Sequence, residues 1–121
     1  MHQADYWLAL YDDAEAVRDL VPDIGALRAL DTNVICTAPG RDALDFVSRF
    51  FAPGSGVDED PVTGSAHASL TPFWVARLGR NPLRARQISA RGGSLECELK
   101  GDRVILRARC VEVIRGTLQL R

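Results

Sequence analysis

The sequence predicts an α+β fold in which a mostly antiparallel sheet curls around one central apolar helix. Three observations lead there. Residues 64–78 are apolar on nearly every side at helical spacing, as expected of a helix buried on several sides. From residue 83 onward, apolar and charged residues alternate with the period of a strand, between Gly-rich turns. The chain has 121 residues, 46% hydrophobic and 26% charged, which suits one folded domain over residues 1–121.

The elements follow in order. Residues 5–11 (Asp-Tyr-Trp-Leu-Ala-Leu-Tyr) combine aromatic and aliphatic side chains and read as a strand. Asp12 and Glu15 stand at capping-box spacing before a short helix from Ala14 to Leu20, stopped near Pro22. Asp23 caps a second helix, Ile24 to Leu30. Thr32 to Ala38 and Leu44 to Phe51 read as two strands around the turn Pro39-Gly40-Arg41-Asp42. An acidic loop spans Pro53 to Pro61. The long helix 64–78 follows, with a kink or break expected at Pro72 and an end at Gly79. Strands are expected at 83–89, 94–99 and 103–109, and a closing meander at 110–114 and 117–120.

Charge is distributed unevenly. Residues 1–60 hold 12 acids and 4 bases, whereas residues 61–121 hold 4 acids and 11 bases. The two halves can attract within one fold, or form solvated faces, or the second half can build an anion site around Arg77, Arg80, Arg84, Arg86 and Arg91. The net charge of -1, and arginines without interleaved aromatics, argue against nucleic acid. No apolar run approaches the ~20 residues of a membrane span, and residues 1–5 lack a basic-then-apolar leader, so the expected location is cytoplasmic. Cys36, Cys97 and Cys110 all lie in strand-like runs and are expected to be reduced and buried. Neither His2 nor His67 has zinc-ligand spacing with a cysteine, and no phosphate-binding lysine motif follows Gly64, so neither metal nor cofactor is expected.

The segment from Val57 to His67 carries the chemistry. Asp58, Glu59 and Asp60 are three consecutive acids, which repel one another. Thr63, Gly64 and Ser65 then open the long helix, whose first turn has free N–H groups and a partial positive charge. A carboxylate beside such a corner suits proton transfer on a bound acid. The plainer alternative is that Asp60, Thr63 or Ser65 only caps the helix, and that His67 makes a structural hydrogen bond.

Two runs, Arg49-Phe50-Phe51-Ala52-Pro53 and Glu59-Asp60-Pro61-Val62-Thr63-Gly64-Ser65-Ala66-His67, precede Gln87-Ile88-Ser89-Ala90-Arg91-Gly92-Gly93 and Gly101-Asp102-Arg103-Val104. In this order and spacing they resemble the PhzF-like family of phenazine biosynthesis, over residues 45–116. The resemblance implies a diaminopimelate epimerase-like fold, in which two similar halves each wrap a sheet around a helix and the active site lies between them. It also implies an isomerase that moves a proton on a small carboxylate-bearing metabolite without cofactor or metal. The chain resembles the second half only. Asp60 matches the family's active-site Asp, and Gly64 and Ser65 match the substrate-holding corner; from the residues themselves Thr63 joins them as a candidate substrate-binding residue, with Glu59 and His67 as candidates behind. The family's catalytic Glu and its Gly-Asn-Pro stretch belong to the first half; Arg80-Asn81-Pro82 is not that stretch. The expected partner is therefore a second copy of this chain or a separate first-half chain. A non-catalytic carboxylate-binding module and a truncated remnant are the alternatives.

Overall fold

A computed structural model of the chain describes residues 6–30 and 32–121. Asp5, the first residue of the expected opening strand, and His2 lie outside the described residues. The elements run β1 (Tyr6–Leu10), α1 (Ala14–Arg18), α2 (Ile24–Ala29), β2 (Asn33–Pro39), β3 (Phe46–Ala52), a 3₁₀ turn (Pro53–Ser55), β4 (Val57–Asp60), α3 (Gly64–Leu78), β5 (Leu83–Gln87), β6 (Gly93–Lys100) and β7 (Arg103–Ala108). All seven strands share one mixed sheet, ordered β1-β2-β3-β5-β6-β7, with β4 also on β3. The β1–β2 and β3–β5 ladders are parallel and the other four are antiparallel.

Alternation along the central strands assigns two faces. Ile35, Phe46, Phe50, Leu83, Ala85, Leu95 and Cys97 pack beneath α3 with Leu70 and Trp74. Full burial of side chains such as Phe46, Leu70 and Trp74 contributes about 1.5–3 kcal/mol each. Phe46 and Trp74 stack at 5.8 Å, and the Trp74 indole donates to Thr37 Oγ1 at 3.0 Å. On the opposite face Cys36, Ala38, Val47 and Phe51 pack against Val17 of α1 and Leu27 of α2.

The expected helix over residues 64–78 forms, but it is not buried on all sides. α3 buries one face, Ala66, His67, Leu70, Thr71 and Trp74, while Ser65, Ala68, Ser69, Pro72 and Ala76 face outward. Small residues are apolar enough to resemble a buried helix in sequence, yet they cost little when exposed. Helices cover both faces of the sheet around β2 and β3, and Tyr6 of β1 and Leu106 of β7 also pack on the α3 side. The break at Pro72 does not occur. α3 runs unbroken from Gly64 to Gly79, where the cap residue sits at φ 64 and its N–H reaches the Val75 carbonyl. Pro72 lies on the outward face with Ala68, whose freed carbonyl can turn to water.

Other expectations are corrected in detail. The cap of α1 is Asp13, which accepts from the Ala16 N–H at 2.8 Å; Asp12 is not the cap. Asp23 caps α2 as expected, accepting from the Ala26 N–H at 2.9 Å. The acidic loop contains β4, whose pairing with β3 the sequence does not advertise through any apolar alternation. The meander at 110–120 does not form, because residues 109–121 carry no regular structure and are exposed. A strand pattern becomes a strand only where an edge is available to pair with.

Cys110 is therefore exposed, contrary to expectation, while Cys36 and Cys97 are buried. Burial pushes both buried thiols above the usual cysteine range, opposed by the neighbouring hydroxyls of Tyr11 at Cys36 and Thr71 at Cys97. Titration with a thiol reagent should consume one thiol in the native protein and three after denaturation.

Candidate active site at the β3 junction

The site lies where one edge of β3 changes partner. β4 pairs with residues 50–52 and ends at Asp60, opposite Phe50. β5 pairs with residues 46–48 of the same edge and ends at Gln87, opposite Ser48. Between these ends the chain leaves β4, turns through Pro61 and Val62, and starts α3. Diverging strand ends leave a crevice, and backbone groups there need side-chain partners.

Gln87 supplies those partners. Its side chain is 0% exposed. Its Oε1 accepts the Thr63 N–H at 2.7 Å, while its Nε2 donates to the Asp60 carbonyl at 2.7 Å and to Thr63 Oγ1 at 3.1 Å. Because Thr63 Oγ1 receives that proton, its own hydrogen points to Asp60 Oδ2 in a short hydrogen bond. Asp60 is thus held through one oxygen, and among the described residues Oδ1 accepts no bond. Thr63 stands at the helix N-cap without capping, since its hydroxyl is committed to Asp60. The first-turn N–H groups of α3 are left uncapped by that side chain, so an anion can take them. Ser65 Oγ is held by the Tyr6 hydroxyl at 2.8 Å, which fixes β1 to the rim of the corner.

His67 lies behind this arrangement and is 0% exposed. Its Nδ1 is 2.7 Å from the Thr63 carbonyl and therefore carries the hydrogen; Nε2 is left to face Ser48 Oγ at 3.5 Å. Burial lowers its pKa from the ordinary value near 6.5, against an opposing contribution from the Thr63 carbonyl. The unfolded chain therefore takes up the proton first as pH falls. This part of the stability is complete above about pH 6.5 and declines below it, by at most about 1.4 kcal/mol per pH unit. Denaturant titrations between pH 7.5 and 5 should show the decline, and His67→Phe should flatten it.

Glu59 does not join the corner. Strand alternation turns it to the other face of the sheet, where Arg49 clasps it at 2.8 and 2.9 Å. The same guanidinium caps the carbonyls of Val17 and Leu20, tying β3 and β4 to the end of α1. Asp58 pairs with Arg28 at 3.1 Å. The three consecutive acids thus lie on three different partners, and repulsion among them is relieved.

A cleft of about 450 Å³ opens beside Asp60, lined by Pro61, Val62, Arg91, Gly92, Gly93 and Arg109. Glycine is required at two of these positions. Gly92 sits at φ 72, and a Cβ on Gly93 would lie 2.2 Å from Val62 Cγ2. Ser89 closes the loop, donating to the Pro61 carbonyl at 2.8 Å and accepting from the Gly92 N–H at 2.9 Å. The arginine-rich stretch resolves accordingly. Arg80 pairs with Asp45, Arg77 lies over Phe73, Arg86 bonds Ser94, and Arg84 lines a separate cleft. Arg91 alone of the five lines the Asp60 cleft, joined by Arg109. Among the described residues no cluster of His, Cys, Asp and Glu is arranged to hold a metal ion, and no helix is long and apolar enough to cross a membrane.

The structure thus gathers Asp60, Thr63, Gly64 and Ser65 in one corner, with His67 behind it and Glu59 outside it. Gln87 and Arg109 were not among the expected site residues, whereas Arg91 was one of the five arginines offered for an anion site. Gln87 could have been found from its strand alone, because Leu83 and Ala85 point inward and place Gln87 inward too.

Comparison with known proteins gives a consistent result. A family profile described as phenazine biosynthesis-like protein, PhzC-PhzF, matches residues 4–116. The chain is 53% identical to one uncharacterized isomerase of Pseudomonas aeruginosa over 96% of its own length and 44% of the relative's. It is 42% identical to a second uncharacterized isomerase of that organism, over 98% of its own length and 46% of the relative's. A crystal structure of a PhzF family protein from Enterococcus faecalis superposes with a TM-score of 0.78 at 50% identity, covering 82% of this chain and 38% of that one. A PhzC/PhzF protein from Clostridium difficile gives a TM-score of 0.83 at 38% identity, covering 95% and 45%. The chain spans less than half the length of these relatives, and it belongs to the PhzC/PhzF family of phenazine biosynthesis-like proteins.

Proposed function

We propose that this chain is the corner-bearing half of a PhzF-like isomerase, moving a proton on a small carboxylate-bearing metabolite without metal or organic cofactor. The observation that carries this reading is the half-committed carboxylate of Asp60. One oxygen is fixed by the Thr63–Gln87 relay, the other accepts no bond among the described residues, and Asp60 lines a cleft of 450 Å³. In this reading the substrate carboxylate takes the first-turn N–H groups of α3 and the Arg91 and Arg109 guanidiniums. Asp60 Oδ1 then exchanges a proton with an adjacent carbon. Arg91 and Arg109 outweigh the one acid lining the cleft, which favours an anionic ligand.

A proton shift also needs a second acid–base group facing Asp60. Glu59 cannot serve, since Arg49 holds it on the far face of the sheet. The second group therefore comes from a complementary half, either a second copy of this chain or a separate chain. The relatives' extra length, more than half of each, fits this need. The experiment is solvent-deuterium incorporation into candidate hydroxy and amino acids, followed by NMR. Incorporation that depends on Asp60 supports the isomerase.

A second reading is a carboxylate-binding module without turnover. It is favoured by the single acid at the corner. Ligand-induced rises in melting temperature with no deuterium incorporation would select it.

A further inference from the structure

Ser65 follows Gly64 in the first turn of α3, among the N–H groups that the Thr63 side chain leaves uncapped. It is exposed, yet its hydroxyl is not loose. Its Oγ lies 2.8 Å from the Tyr6 Oη, across 59 residues of sequence. Tyr6 opens β1 and is held in register with Asn33 of β2. Its half-buried ring meets Phe50 edge-on at 5.2 Å and packs against the cluster beneath α3. Phe50 in turn stands opposite Asp60 in the β3–β4 ladder. One aromatic residue therefore adjoins both the tyrosine that touches Ser65 and the strand end that carries Asp60.

The direction of the Tyr6–Ser65 bond decides what this side of the corner can do. Each hydroxyl has one hydrogen to give and lone pairs with which to accept. Among the described residues neither has another side-chain partner. With its hydrogen given to Tyr6, Ser65 would turn a bare oxygen to an incoming anion and repel it. With the Tyr6 hydrogen on Ser65 Oγ, the Ser65 hydrogen is free for an anion held at the first-turn N–H groups. An anion selects this second direction, and each bond in the chain polarises the next. The same plan operates at Thr63, where Gln87 Nε2 donates to Oγ1 and the Thr63 hydrogen turns to Asp60. A helical serine with no donor behind it can instead rotate and bond its own backbone.

We propose that Tyr6 is a positioning residue of the corner: it donates to Ser65 Oγ and so turns the Ser65 hydrogen to the carboxylate of the bound metabolite. This rests on the anion-holding corner of the function above and deepens it, by giving a residue of the first strand a part in the site that it plays only through Ser65.

The test is a titration of the full 121-residue chain, ¹⁵N-labelled, with benzoate, read from the Gly64 and Ala66 amides. The variants are Tyr6→Phe, Ser65→Ala and the two combined. Tyr6→Phe keeps the ring on Phe50 and removes only the hydroxyl. The bond it breaks is exposed, so water takes its place and the fold should survive, with circular dichroism unchanged. The benzoate dissociation constant should rise about threefold to tenfold, the usual weight of one hydrogen bond. In the Ser65→Ala background the same substitution should have no further effect. Ser65→Thr, which puts a hydroxyl back, should restore the sensitivity to Tyr6→Phe. A tyrosine that only anchors β1 would weaken binding equally with and without the Ser65 hydroxyl. Equal effects in both backgrounds, or an unchanged dissociation constant in Tyr6→Phe, would overturn the role of Tyr6 and leave the corner standing. Gly64 and Ala66 amides that ignore benzoate in the wild-type chain would overturn the corner and this role with it.

Discussion

Replacing Gln87 by leucine should destabilise the protein by about 3 kcal/mol and loosen the corner that holds Asp60. Leucine fits the volume but offers no hydrogen bonds. The Thr63 N–H, the Asp60 carbonyl and the Thr63 hydroxyl would all lose their partner at once, in a site with no exposure. Each buried group left unpaired costs about 1–3 kcal/mol, and some of that is recovered as the junction relaxes. Chemical denaturation measures the loss. Gln87→Glu separates packing from bonding, because it keeps the acceptor for the Thr63 N–H but turns a donor toward Asp60 into a second carboxylate. A stability unchanged in Gln87→Leu would mean that the β4 and β5 ends are held by the ladder alone.

Asp60→Asn should cut deuterium incorporation by about 10²–10⁴-fold, the usual size of a general-base contribution, with little change in stability. The amide can still accept from the Thr63 hydroxyl, so the corner stays built while the base is gone. The pairing of a large loss in exchange with a small change in stability is the signature of a group that acts on substrate. An equal loss in both would assign Asp60 to the scaffold. The complementary half must be present for this comparison, because the corner supplies one acid–base group only.

The sequence was most informative where residue type and spacing agreed. Asp23 before Ile24 and Gly79 after Leu78 carry their own caps, and both form as expected. Leu95, Cys97 and Leu99 alternating with Glu96 and Glu98 fix which face of β6 turns inward, and Leu95 and Cys97 are buried. Expectation failed where the determining partner is distant in the chain. β4 is a strand because β3 presents Phe50 and Phe51 to it, and because Arg49 reaches Glu59; neither is visible in the run Val-Asp-Glu-Asp. The outward face of α3 reads as core because alanine, proline and serine are ambiguous about burial. The tail reads as two strands because its pattern is correct, but no edge of the same molecule receives it.

The candidate site shows the same division. Asp60, Thr63, Gly64 and Ser65 are adjacent in sequence, so the corner was legible as a unit. Arg91 and Arg109 come from opposite sides of the β6–β7 hairpin, and only folding brings them to the same cleft. Glu59, one residue from Asp60, is excluded by strand alternation, a reason that becomes available only once β4 is known to be a strand.

The most direct test is an NMR titration of ¹⁵N-labelled chain with benzoate and 2-aminobenzoate. The backbone amides of Gly64, Ser65, Ala66, Gly92 and Gly93 should move together with one midpoint. Arg91→Ala or Arg109→Ala should raise that midpoint. Amide shifts confined to other surfaces, or a corner that stays silent at millimolar carboxylate, would contradict the assignment of residues 60–65 as an anion-holding site.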